Sequence, residues 1–255
     1  MSPTTPVTAC VLIIGNEVLS GRTPDANLSF LGTALNELGI RVMEARVIPD
    51  DEATIVATVN ECRERFGYVF TTGGIGPTHD DITAASMAKA FGVTLERNAD
   101  AMALLRLQYV DGDLNEARQR MAYVPAGAVL IENPVSRAPG FQLENVFVLP
   151  GVPGIMRAMF AGIRDRLRGG APVLSRTIAA FTREGTVATG LAAIQETHPA
   201  VEIGSYPFLR GDRLGVSIVL RSADAGALEP AVADVKALFE TIGVEPFEET
   251  ASPEG

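Results

Sequence analysis

The stretch Val69-Phe70-Thr71-Thr72-Gly73-Gly74-Ile75-Gly76-Pro77-Thr78-His79-Asp80-Asp81-Ile82-Thr83 decides how this chain is read. Tyr68 to Thr72 has the β-branched and aromatic composition of a buried strand. Gly73 to Pro77 cannot continue a strand and is not yet a helix. From about Asp80, Ile82, Ala85, Ser86, Met87, Ala90 and Phe91 follow a helical pattern that ends at Gly92. The order is strand, glycine turn, helix. In an open parallel sheet, ligands sit beyond the carboxyl ends of the strands, where helix N-termini also point. Glycines let the backbone approach a ligand closely, and successive free N–H groups form a concavity for an anion. Thr72, Gly73, Gly74, Gly76 and Thr78 are therefore expected to hold a phosphate or pyrophosphate. A plain strand-to-helix turn is the alternative for a simpler glycine pair.

Asp80 and Asp81 add to this. A carboxylate favours a helix N-terminus, so either could be a simple cap. Beside a phosphate, however, a carboxylate repels unless a divalent cation bridges the two, and Mg²⁺ or Mn²⁺ takes oxygen ligands. The loop reads as a metal-assisted phosphate site with Asp81 and Asp80 as metal ligands. His79 is open to three roles: ligand, proton donor or turn residue.

Outward from this loop, other strand ends carry polar residues. Val7 to Ile14 is a continuous apolar run, as in a central parallel strand, and it ends in Gly15-Asn16-Glu17 within a polar loop. Glu17 sits too early to cap the helix that Leu28, Leu31, Leu35 and Leu38 define, so a ligand contact is expected of it. Asp25 reads as a cap of that helix, and Asn27 as a cap or a contact. Ile40 to Ile48 is a strand followed by Pro49-Asp50-Asp51. Asp51 reads as a cap for a helix from about Glu52 to Phe66, while Asp50 is near enough to the strand to reach the ligand. A long helical stretch runs from about Asn98 to Met121, interrupted at Asp111-Gly112-Asp113. Arg118 and Arg120 on it are either solvated or reach toward the crevice. Strands at Val129–Ile131 and Phe141–Leu143 flank a loop with Asn133, Ser136 and Arg137, and Asn133 is expected to contact the ligand. A buried strand at Val146–Leu149 leads through Pro150-Gly151 into a helix ending near Leu167, and Gly151 belongs to an anion site or a tight turn.

Gly169-Gly170-Ala171-Pro172 is the linker candidate. It separates an α/β domain over residues 7–168 from a small β-α-β-β-α unit over 172–245. His198-Pro199 ends a helix there and reads as structural. Met1 to Pro6 is expected to be disordered.

The 255 residues are 47% hydrophobic and carry a net charge of −10. A packed core is expected, and a nucleic-acid-binding surface, which needs a basic stripe, is not. An anionic substrate must be held by local dipoles, arginine or metal. Cys10 and Cys62 suit buried thiols in a reducing compartment, and no Cys or His spacing suggests zinc. No run reaches transmembrane length, and no signal pattern opens the chain. A cytoplasmic protein without membrane contact is expected.

The motifs T-T-G-G-I-G-P-T-H-D-D-I-T (Thr71–Thr83), I-G-N-E-V-L-S-G (Ile14–Gly21), N-P-V-S-R-A-P-G-F (Asn133–Phe141) and L-P-G-V-P (Leu149–Pro153) together resemble the molybdenum-cofactor-biosynthesis (molybdopterin-binding, MoCF) domain family. They are most similar to the amino-terminal domain of competence/damage-inducible protein A (CinA) and to that of FAD synthase. The resemblance spans roughly Val7 to Leu167, and the small C-terminal unit resembles the ferredoxin-like accessory domain of the same branch. It implies a three-layer α/β fold with a mostly parallel sheet, ligand at the strand ends, and a homo-oligomer, dimer or trimer. By motif, the acidic residue important for catalysis falls on Asp81, and a second acidic position falls on Asp50. The implied activity is metal-dependent (Mg, Mn or Co) hydrolysis of ADP-ribose, FAD or a similar dinucleotide. The implied alternatives are binding of molybdopterin, a phosphorylated pterin, and its adenylylation. An acidic residue usual after the Pro-Gly turn is Ile155 here. The amidase region common in CinA-like proteins is not expected in these residues.

Overall fold

The computed structural model describes residues 7–109 and 113–249. Met1–Pro6 and the expected interruption at Asp111-Gly112 fall outside them. The chain forms two compact units, residues 1–170 and 171–255.

The first unit runs β1 (Val7–Ile14), α1 (Asn16–Leu19), α2 (Asn27–Glu37), β2 (Ile40–Ile48), α3 (Glu52–Arg65), β3 (Tyr68–Thr72), α4 (Thr83–Phe91), β4 (Leu95–Arg97), α5 (Ala99–Gln108), α6 (Glu116–Gln119), β5 (Tyr123–Pro125), β6 (Val129–Ile131), β7 (Gly140–Leu143), β8 (Val146–Leu149) and α7 (Pro153–Ile163). A six-stranded sheet has the order β2-β1-β3-β8-β7-β6. The β2-β1-β3-β8 pairs are parallel, and β7 joins antiparallel to β8 and β6.

The apolar run of β1 is continuous because helices cover both faces of the sheet. Its side chains alternate between two cores. Ala9, Val11 and Ile13 pack with Leu31 and Leu35 of α2 and Met156, Met159 and Phe160 of α7. Cys10, Leu12 and Ile14 pack with Ile55, Val59 and Cys62 of α3 and Met87 of α4. This is the expected three-layer α/β arrangement with a mostly parallel sheet. Rings of Phe70 and Phe147 stack at 5.2 Å across neighbouring strands, adding to the area they bury. Cys10 and Cys62 are fully buried free thiols with sulfurs 3.6 Å apart.

Two local readings differ. The loop expected after β1 contains the one-turn helix α1. The long helix expected over 98–121 is instead α5, α6 and a 3₁₀ turn at Arg120–Ala122. Short strands β4 and β5 bracket it and pair antiparallel, Leu95 opposite Pro125 and Arg97 opposite Tyr123. A pairing between segments so far apart in sequence leaves no local periodicity to read.

The second unit runs β9 (Leu174–Ala180), α8 (Glu184–Thr197), β10 (Glu202–Arg210), β11 (Arg213–Ser222), α9 (Ala225–Thr241) and β12 (Phe247–Glu249). Its antiparallel sheet has the order β10-β11-β9-β12. That is a ferredoxin-like α+β unit, completed by a sixth element, β12, which pairs with β9. One sheet face and both helices share a core around Ile178, Ile218, Val235 and Phe239. His198, at the end of α8, meets Asp234 of α9 at 2.7 Å.

Candidate functional site

Because β1, β2, β3 and β8 are parallel and adjacent, their carboxyl ends share one edge of the sheet. Four loops meet there, after Ile14, Ile48, Thr72 and Leu149. The glycine turn is pinned from both sides. Gly73 donates its N–H to the Leu149 carbonyl (3.1 Å), and the Thr83 hydroxyl donates to the Gly73 carbonyl (3.1 Å). At Gly73, φ is +107°, and a Cβ would lie 2.1 Å from the Ile14 carbonyl oxygen, so glycine is required on both counts. At Gly74, φ is +65°, and a Cβ would collide with the Thr83 hydroxyl.

The turn then presents unused donors. The N–H groups of Gly74, Ile75 and Gly76 donate to no group among the described residues. Three successive free N–H groups, the first on Gly74 whose φ is positive like that of the preceding Gly73, form a nest for an anion. The helix contributes less than expected. α4 begins at Thr83, three residues later than the sequence indicates, and its first N–H is taken by the Gly74 carbonyl (3.0 Å). Neither Asp80 nor Asp81 caps α4; Ile82 stands at the cap and offers no side-chain bond.

Asp81 instead folds back over the turn. Its Oδ2 accepts from the Thr78 N–H (2.8 Å) and from the Thr78 hydroxyl, and it lies 2.7 Å from where a Gly76 Cβ would be. Asp80 points to solvent. The nearby Thr78 hydroxyl, and then its own N–H, hold its carboxyl below the usual range. The hydrogen bond that hydroxyl makes goes to Asp81. His79 is 94% exposed, with Nδ1 3.9 Å from Asp80 Oδ1.

Beside the turn, Asp50 Oδ2 accepts the Asn16 N–H (2.8 Å), and its Oδ1 lies 3.7 Å from the Cβ position of Gly74. Asp50 and Asp81 thus both lie beside the glycine turn, Asp50 next to Gly74 and Asp81 next to Gly76. Its neighbour Asp51 caps α3 by accepting from the Thr54 N–H (2.9 Å) and hydroxyl (2.7 Å). Asn16 serves through its backbone, and the Glu17 carboxylate lies over Gly15. Asp25 accepts from the N–H groups of Asn27 and Leu28 at the start of α2. Asn27 is buried and donates to the Gly151 carbonyl (2.8 Å), tying α2 to the β8–α7 turn, and Gly151 packs against Gly73. The side-chain oxygens Asn27 Oδ1, Thr71 Oγ1 and Thr72 Oγ1 are buried without a hydrogen-bond partner. Such atoms cost about 1–3 kcal/mol each when left bare.

Asn133 has a different task from the ligand contact expected of it. Its amide donates to the Ser136 hydroxyl (2.7 Å) and the Ala138 carbonyl (2.9 Å), and its Oδ1 accepts from the N–H groups of Val135 and Ser136. The buried side chain is fully committed to its own loop.

A divalent ion can be tested against this donor set. Asp50 Oδ1 and Asp81 Oδ1 accept no hydrogen bond among the described residues. No three His, Cys, Asp or Glu side chains converge among those residues. This set fits an ion that keeps waters and shares substrate phosphates, as Mg²⁺ does, and does not fit an all-protein cage. The second carboxylate beside the turn is Asp50, the position the family motif indicates, whereas the chemistry of the loop alone pairs Asp81 with Asp80.

A small cleft of about 40 Å³ runs from Gly74 and Gly76 past Asp81 to Arg120 and Tyr123. Sequence reading left Arg120 undecided and passed over Tyr123. Only the β4–β5 pairing, which fixes Tyr123 and the turn before it, brings them here.

No helix among the described residues is long and apolar enough to cross a membrane. The family model described as "probable molybdopterin binding domain" matches residues 10–169, and that of the FAD synthase middle domain matches residues 172–248. A protein of Pyrobaculum arsenaticum is 34% identical over 247 residues, 92% of each chain. One of Aeropyrum pernix is 36% identical over 252 residues, 93% of each. The crystal structure of CinA from Thermoplasma acidophilum, a protein of unknown function, superimposes with a TM-score of 0.59 at 35% identity. The match covers 63% of this chain and 99% of that one. The chain accordingly belongs to the MoCF family of molybdopterin-binding domains, with a CinA-like first unit followed by a unit similar to the FAD synthase middle domain.

Proposed function

We propose that the protein is a divalent-metal-dependent nucleotide pyrophosphatase that cleaves ADP-ribose, FAD or a similar dinucleotide. The observation that carries this reading is the row of free N–H groups at Gly74, Ile75 and Gly76, set beside the carboxylates of Asp50 and Asp81. The N–H groups receive phosphate oxygens. Two carboxylates beside the same turn would repel those oxygens, so the pair calls for a cation. When bound, Mg²⁺, Mn²⁺ or Co²⁺ supplies Lewis acidity at phosphorus and acidifies water.

The chain's own residues do the rest. Asp50 and Asp81 are the ion's protein ligands, each oriented in advance by hydrogen bonds from Asn16 and Thr78. Glu17 and Asp80 orient water from the rim. His79, exposed above the turn, carries a proton to or from bulk solvent. The new P–O bond forms from water, the bridging P–O bond breaks, and AMP and the phosphomonoester of the other half leave. The FAD synthase match over residues 172–248 supports a dinucleotide substrate. The family's molybdopterin-binding description supports a second reading, a phosphorylated pterin bound at the same nest, either without turnover or for adenylylation.

The test is AMP release from ADP-ribose, FAD and NADH with each metal, in wild type and in Asp81→Asn, Asp50→Asn and Asp80→Asn. Loss of about 100-fold or more is expected for Asp81→Asn and Asp50→Asn, as for a group that acts in the transition state, and a smaller loss for Asp80→Asn. No release from any substrate, with tight binding of a phosphorylated pterin, would replace the hydrolase with the second reading. ATP consumption with molybdopterin would mark adenylyl transfer.

A further inference from the structure

The small cleft beside the glycine turn adjoins a larger cavity of about 560 Å³, within the roughly 300–1,000 Å³ usual for small-molecule sites. Asp81, Ala84, Arg120 and Tyr123 line both spaces, so the cavity adjoins the cleft at the turn. Leu95 and Ala85 complete an apolar wall, with Gln119 and Glu116 on the polar side. Two features are otherwise unexplained. Tyr123 and Leu95, both on this wall, each remain 39% exposed. The Arg120 guanidinium makes no hydrogen bond or ion pair among the described residues, in a chain of net charge −10 where its neighbour Arg118 is paired with Asp113. A flat aromatic surface beside an unpaired arginine, adjoining a phosphate nest, matches an aromatic base joined to a phosphate. ADP-ribose and FAD share one such half, adenosine monophosphate.

We infer that this cavity is the base subsite: Tyr123 stacks on the adenine ring of the AMP half, and Arg120 pairs with the phosphate that links it to the glycine turn. The inference rests on the reading of that turn as a phosphate site. It makes the adenine nucleotide the recognised part of the substrate and leaves the other half free to vary.

The test titrates AMP and, separately, inorganic pyrophosphate into the full chain with Mn²⁺ by calorimetry. The variants are Tyr123→Ala, Tyr123→Phe and Arg120→Ala, with urea midpoints confirming folding. Tyr123→Ala is expected to weaken AMP by about tenfold, as loss of base stacking does, and to leave pyrophosphate unchanged. Tyr123→Phe, which keeps the ring, restores AMP binding to within about twofold. Arg120→Ala weakens both ligands by a similar factor. AMP binding unchanged in Tyr123→Ala and Arg120→Ala, with pyrophosphate still bound, overturns the subsite and leaves the phosphate nest standing. Binding of neither ligand by wild type overturns both. Turnover is not needed for any of these results, so a failure of the hydrolase reading remains separately visible.

Discussion

Replacing Gly73 by alanine tests the site at its narrowest point. A Cβ there would sit 2.1 Å from the Ile14 carbonyl oxygen, more than 1 Å inside contact. That oxygen belongs to the end of β1, which pairs with strands on both sides and cannot yield alone. The turn must move instead. Adopting positive φ with a side chain costs about 1–2 kcal/mol, and forcing an extra methyl into a packed place costs about 1–3 kcal/mol. The sum is about 2–5 kcal/mol. Moving the N–H groups of Gly74 to Gly76 by about 1 Å relative to Asp50 and Asp81 is expected to lower kcat/KM for dinucleotide hydrolysis by about 100-fold. Gly92→Ala is the control. Gly92 ends α4 with φ +66° and has open space where its Cβ would be, so it carries the backbone cost without the collision. Urea midpoints and AMP-release kinetics are measured on both. If Gly73→Ala loses no more stability than Gly92→Ala and keeps its activity, the turn is not held as described and the reasoning fails.

Asn133→Ala strips the Val135 and Ser136 N–H groups and the Ala138 carbonyl of their partner, and should cost about 2–3 kcal/mol in urea unfolding; a cost under about 0.5 kcal/mol would show that the loop does not depend on it. Arg46 grips the Glu61 carboxylate through two nitrogens at 2.7 and 2.6 Å and, joined by Arg65, lowers its pKa from 4.5 to about 2. The folded state holds the ionised form, so this stabilisation is full above about pH 4.5 and is lost as pH falls toward 2. Wild type should therefore lose stability more steeply than Glu61→Gln across that window, and parallel curves would discount the pair.

Much of this architecture was legible because it rests on local chemistry. Seven apolar residues among the eight from Val7 to Ile14 read as a strand covered on both faces. Gly73-Gly74 after the strand end at Thr72 can only turn sharply. Asp51 before Thr54 is a cap because short side chains reach the free N–H groups of a first helical turn. These features also located the edge of the sheet where loops converge, and the four motifs together named the family. The structure decided what depends on contacts between distant segments. It placed Asp50, 31 residues before Asp81, beside the same turn by putting β2 two strands from β3. It turned Asn133 inward, started α4 at Thr83, and brought Tyr123 and Arg120 beside Asp81 through the β4–β5 pairing. Periodicity records which face of an element is buried; it carries no record of which residues, far apart in the chain, will meet across a gap.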